Sequence, residues 1–159
     1  MKGGVGSWSE RAGDVVVGAI AVVNAFGDVL DASGRVVAGA RKADGSFAGA
    51  AAFLAGGGRP GGSLSAAHHT TLVVVATSAA LDRLALGGVA RAGADALARR
   101  VVPSGTAVDG DIVFACSAGA VQAPAMQVEQ MARVATEMAV ERAVRMAKGR
   151  EGVPGLADA

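Results

Sequence analysis

His68-His69-Thr70-Thr71-Leu72-Val73-Val74-Val75-Ala76 decides how this chain is read, because a Gly-rich loop delivers two hydroxyl residues to the start of a strongly β-forming run. Asp109-Gly110-Asp111 follows about one helix and one loop later. A hydroxyl residue at such a strand start looks like a nucleophile meant to become an N-terminus. A Thr70 freed at its nitrogen needs no separate histidine base, since an α-amino group with a pKa of about 8 takes the hydroxyl proton. The two carboxylates would position and tune that amine.

At 159 residues the chain has the size of one domain, 1–159, enough to remove roughly 70% of its unfolded surface from water. Hydrophobic residues make up 52% and charged residues 18%, with a mean hydropathy of +0.42. That leaves too little polar surface to cover the molecule alone, so a homo-oligomer is expected. Fifteen basic residues against fourteen acidic ones, and no basic block interleaved with aromatics, give no support for nucleic-acid binding. The longest apolar run, Val15 to Val23, is broken by Gly18 and is far shorter than the roughly 20 residues of a membrane span, and no secretion signal follows Met1. A single cysteine, Cys116, fits a reducing cytoplasm; inside an apolar strand it reads as an inert core thiol.

Periodicity predicts strands alternating with helices, a layered α/β protein with two helices covering a sheet. Val15 to Phe26 reads as a strand covered on both faces, Val29-Leu30 and Arg35 to Ala40 as short strands around a turn at Asp31 to Gly34, and Lys42 to Ala67 as loop. Thr71 to Thr77 is a strand, followed by a helix capped by Ser78 or Asp82 and reaching Arg100, with Pro103 beyond its end. Asp111 to Ser117 reads as a buried strand left at Gly119. Met126 to Lys148 reads as the longest helix, apolar at Met131, Val134, Ala135, Met138, Val144 and Ala147, stopped by Gly149 before a frayed tail at 150–159.

Each singled-out residue also has an ordinary explanation. A threonine opening a strand is commonly a β-former, and Asp-Gly-Asp is commonly a turn with solvated carboxylates. Asn24 within an apolar strand must find partners whether or not it takes part in chemistry. His68-His69, with no further histidine, falls short of a metal-ligand set, so no metal is expected. Gly56 to Gly62 lacks the Gly-Lys-Ser/Thr ending of a phosphate cradle and reads as a processing loop.

Five ordered stretches together resemble the L-aminopeptidase/D-esterase family, which includes β-aminopeptidases and nylon-oligomer hydrolases: Lys2-Gly3-Gly4-Val5-Gly6-Ser7, Val22-Val23-Asn24-Ala25-Phe26-Gly27-Asp28-Val29, Gly39-Ala40-Arg41, Thr70 to Thr77, and Asp109 to Ala115. The resemblance runs from Lys2 to about Gly149. It implies an αββα sandwich like that of N-terminal-nucleophile hydrolases, incomplete at the N-terminus because the family carries a long segment upstream of the Lys-Gly-Gly motif. It also implies a precursor cut between His69 and Thr70 into pieces 1–69 and 70–159. By the same resemblance Thr70 is the nucleophile, Asp109 and Asp111 are the acidic pair beside it, Asn24 is the amide aimed at the oxyanion, and Lys2 lines the substrate cleft. Small peptides, amino-acid amides or esters are the implied substrates, with no cofactor. The alternative is an inactive, truncated relative serving only as a subunit or interaction module. The chain departs from the family pattern at His69, where Asn or Gly is usual, at Ser78, where Asp is usual, and at Ala107-Val108, which put no marked polar partner before the acids.

Overall fold

In the computed structural model, residues 2–59 and 69–158 are described. β1 (Gly4–Ala12) and β2 (Val15–Asn24) form a hairpin turned by Gly13-Asp14, where Gly13 takes the positive φ that a two-residue connection needs. β3 (Asp28–Leu30) and β4 (Val36–Ala38) follow, around the expected turn, in which Asp31 Oδ1 accepts from the Ser33 and Arg35 amides. After α1 (Ala50–Ala55), β5 (Thr70–Ala79) crosses the molecule to α2 (Arg83–Arg100), capped by Asp82 through the Ala85 N–H. β6 (Val101–Val102), β7 (Ile112–Val121) and α3 (Ala125–Arg145) complete the elements. The main sheet has the order β1-β2-β5-β7, antiparallel except for the parallel pair β5 and β7; a smaller sheet has the order β4-β3-β6.

α2 and α3 lie together on one face of the main sheet. Val15, Val17, Ala19, Ala21 and Val23 of β2 and Thr71, Val73 and Val75 of β5 point into them, against Val89, Ala96 and Leu97 of α2 and Val128, Ala132, Ala135, Ala139, Val140 and Val144 of α3. Alanines on α3 let it approach the sheet closely, and Gly6 in β1 completes the fit: a methyl there would collide with the Ala139 carbonyl and the Ala143 amide. Gly93 does the same for α2, since a methyl would come within 2.9 Å of Val113 Cγ1. The helices are tied to each other by Arg100, buried and paired to Glu137 at 3.1 Å and Glu141 at 3.5 Å.

The opposite face of the sheet is open among the described residues. Val5, Ile20, Val22, Leu72, Val74, Ile112 and Phe114 point that way, each between 40% and 57% exposed. This corrects two expectations. β2 is covered on one face only, and β7 is a half-exposed edge strand rather than a buried one, so Cys116 is exposed and not a core thiol. β1, with serines on its outer side and glycines on its inner side, has no apolar signature and was not expected as a strand. α1 stands within the stretch expected to be loop, Lys42 to Ala67, of which 60–67 lies outside the described residues. Ser78 is a strand residue whose Oγ accepts from the Val16 N–H. α3 ends at Arg145, three residues short of Lys148, and its buried stripe is rotated so that Val134 is exposed. The tail packs back: the Lys2 N–H donates to the Pro154 carbonyl and the Ala157 N–H to the Ala147 carbonyl.

Gly6→Ala should destabilise the fold by at least about 2 kcal/mol, because backbone rather than a mobile side chain must give way. Gly18→Ala, on the open face with nothing nearer than 3.8 Å, should leave stability unchanged or raised. Urea unfolding of the two variants checks the contrast.

Candidate active site

The site is assembled by the beginning of β5, which pairs on both sides. On one side Thr70 is the cross-strand partner of Asn24, the last residue of β2. On the other, His69 forms an isolated parallel bridge with Asp109, and the Gly110 N–H donates to the His69 carbonyl at 2.9 Å. One residue on, the Thr71 N–H donates to Asp111 Oδ1 at 2.6 Å. Alternation along β5 buries Thr71 under the helices and turns Thr70 to the open face, the side on which its partner Asn24 also lies. Gly110 lies close against the threonine: a methyl at Gly110 would be 3.1 Å from Thr70 Oγ1.

The two acids are held differently. Asp109 Oδ2 accepts from the Thr106 N–H at 3.1 Å and the Thr106 hydroxyl at 2.8 Å, while Asp109 Oδ1 is buried without a hydrogen-bond partner among the described residues. Thr106 is therefore the polar partner that Ala107-Val108 lack; the Thr-x-x-Asp spacing was the available signal. Asp111 is partly buried, and this loss of hydration, against the lowering effect of the Thr71 N–H and with the nearby charge of Asp109 adding to it, raises its pKa.

Lys2, Asn24 and His69 line a cleft of about 640 Å³ together with Phe26, Phe53 and Arg59. The His69 ring packs edge-on against Phe26 at 5.5 Å, and its Nε2 is buried without a partner among the described residues. Asp28 fixes the far wall, its buried Oδ2 accepting the N–H of Ala50, the first residue of α1, at 2.7 Å. Thr70, Asp109 and Asp111 sit beside this cleft rather than in its lining; Asn24 and His69 join the two groups. Phe53 was not singled out in the sequence, and Phe26 and Asp28 stood there only as members of a family stretch with no role, because aromatic and acidic residues in short elements carry no periodic signal. His68 lies outside the described residues. Among the described residues no cluster of three or more His, Cys, Asp or Glu could hold a metal ion, and no helix is long and apolar enough to cross a membrane.

The sequence pattern of peptidase family S58 matches residues 1–156. No curated protein matches the chain. Similar solved structures include the PH0078 protein of Pyrococcus horikoshii, at 22% identity and a TM-score of 0.64 over 97% of this chain and 43% of that one. The L-aminopeptidase D-Ala-esterase/amidase of Ochrobactrum anthropi, described as a variant of the Ntn hydrolase fold, is similar at 22% identity and a TM-score of 0.62, over 96% of this chain and 43% of that one. The β-aminopeptidase of a Burkholderia species is similar at 20% identity and a TM-score of 0.60, over 97% and 45%. The chain thus spans less than half the length of these proteins while sharing their α/β fold.

A raised Asp111 pKa means that the folded state binds a proton more readily than the unfolded chain. Its contribution to stability is therefore full below the ordinary value of 3.8 and is lost as pH rises through the higher folded value. Asp111→Asn keeps an oxygen for the Thr71 N–H and removes this loss, so thermal unfolding followed from pH 3 to 7 should give the variant the higher midpoint at pH 7. A lower midpoint there would show that the ionised carboxylate stabilises the site.

Proposed function

Because the chain belongs to peptidase family S58, we propose that it is a self-processing aminopeptidase or amide hydrolase in which Thr70, freed by a cut after His69, is the nucleophile. The observation that carries this reading is the pairing at the head of β5, which sets Thr70 opposite Asn24 and beside Asp109-Gly110-Asp111. The free α-amino group of Thr70 takes the proton from its own hydroxyl as Oγ adds to a substrate carbonyl. The Asn24 amide stabilises the oxyanion, a role worth about 3 kcal/mol for a preorganised donor. Asp109 and Asp111 hold the amine in place and favour its protonated state after it accepts the proton. Water then releases the acyl group. Small peptides, amino-acid amides and esters fit the cleft, with Lys2 at its rim supplying a positive charge to the bound molecule.

The reading extends to self-association. The open sheet face carries Val5 on β1 and large apolar side chains on β2, β5 and β7. A second copy packed sheet to sheet would cover these side chains, as a specific interface of about 1,000 Å² or more does. That occupant explains why Val, Ile, Leu and Phe stand where a solvated sheet face carries polar residues.

Intact-mass spectrometry should find a species beginning at Thr70, and Thr70→Ala should abolish both that species and hydrolysis of amino-acid p-nitroanilides; turnover surviving the change refutes the assignment. Sedimentation should show a dimer or larger assembly that Phe114→Lys dissociates. A monomeric parent chain would rule out the sheet-to-sheet pairing.

A further inference from the structure

The peptide bond between His69 and Thr70 is gripped from one side by three consecutive residues. Asp109 bridges to His69, the Gly110 N–H donates to the His69 carbonyl oxygen at 2.9 Å, and Asp111 Oδ1 accepts the Thr71 N–H at 2.6 Å. These contacts keep the register of the β5 and β7 ladder, which begins at the Leu72 and Ile112 pair, but interrupt its regular bonding. At Thr71 a side-chain carboxylate takes the place of a backbone acceptor, and backbone bonding resumes only at the His69 carbonyl. Residue 110 also faces the attacking group, since a methyl there would stand 3.1 Å from Thr70 Oγ1. Glycine thus lets one main-chain N–H reach the carbonyl to be attacked while leaving space for the attacking hydroxyl.

We propose that the Gly110 N–H is the oxyanion donor of self-cleavage, holding the His69 carbonyl oxygen while charge develops on it. This rests on the self-processing reading above. Thr70 Oγ adds to the His69 carbonyl carbon, its proton passes by way of solvent to the Thr70 nitrogen, and the carbonyl π pair moves onto the oxygen that Gly110 already contacts. Collapse breaks the bond from the His69 carbon to the protonated Thr70 nitrogen, which leaves as the free amine. The product is an ester between His69 and Thr70 Oγ. Water hydrolyses this ester, leaving a His69 carboxylate, the free Thr70 hydroxyl and the free Thr70 amine. The donor is fixed by strand pairing before the reaction begins, so it needs no reorganisation when charge appears. Because the donor is main chain, no side chain in the sequence advertises it.

Replacing the residue 110 amide by an ester through semisynthesis, glycolic acid in place of glycine, deletes the N–H alone. An intact-mass time course of the full chain should then show cleavage slowed by about 10²- to 10³-fold, the effect of removing one oxyanion donor. Circular dichroism should remain that of the folded protein, and hydroxylamine should release no fragment, because addition itself is blocked. Gly110→Ala retains the N–H and should cleave within about tenfold of the parent chain, the methyl only crowding Thr70. Cleavage of the ester analogue at the parent rate overturns the proposal. So does its accumulation as a hydroxylamine-sensitive ester, or a loss in Gly110→Ala as large as in the analogue. A parent chain that never cuts refutes self-processing itself, an outcome distinct from any of these.

Discussion

Main-chain pairing of β5 on both edges is the constraint from which the site follows. Residues 24, 70 and 109–111 are far apart in sequence, and no long side chain draws them together. They meet because the head of β5 lies between the end of β2 and the segment entering β7, in a register set by backbone hydrogen bonds. That register is in turn locked by burial. Slipping β5 by one residue would turn Val73 and Val75 away from the helices and place Leu72 and Val74 beneath them, exchanging a buried set for an exposed one. The apolar core under the sheet therefore determines which hydroxyl stands beside Asn24.

The strongly patterned elements were legible in the sequence. β5 is rich in β-branched residues, α2 has an aspartate cap, and the turn at Asp31 to Gly34 carries its own side-chain acceptor. Order and spacing of the motifs also identified the family and the residues that the fold brings together. What escaped was written in small residues or in the absence of side chains. β1 is a strand because glycine lets α3 lie against it, which a propensity scale reads as weakness. The number of covered faces was equally hidden. β2 alternates valine and isoleucine with smaller residues on both sides, and composition alone cannot distinguish a strand buried twice from one that leaves an apolar face bare. The same ambiguity put Cys116 in the core. Thr106 and Gly110 act through a turn and a backbone N–H, features that depend on the local chain path more than on residue type.

The two acids illustrate how little distance is needed to separate roles. Asp109 is occupied by a threonine in its own turn, leaving one oxygen buried and without a partner among the described residues, whereas Asp111 reaches across to the neighbouring strand. Burial, with the nearby charge of Asp109 adding to it, makes Asp111 harder to ionise. Such a pair is costly for a fold to maintain as two charges. A freed Thr70 ammonium group beside them would offset that cost, so a cut form would be electrostatically more at ease than an uncut chain.

Were the chain cut before residue 70, the position of that residue would shape the life of the molecule afterwards. It opens a central strand, with β1 and β2 on one side of the break in sequence and β5, α2, β7 and α3 on the other. A cut there would sever no layer of the fold, and both products would stay interleaved through the β2 and β5 ladder and the packing of α3 on β1. Once the two polypeptides are separated, however, recovering the fold becomes a bimolecular event that dilution slows. The protein would therefore be able to fold as a single chain only once, and its persistence would afterwards rest on slow unfolding rather than on ready refolding.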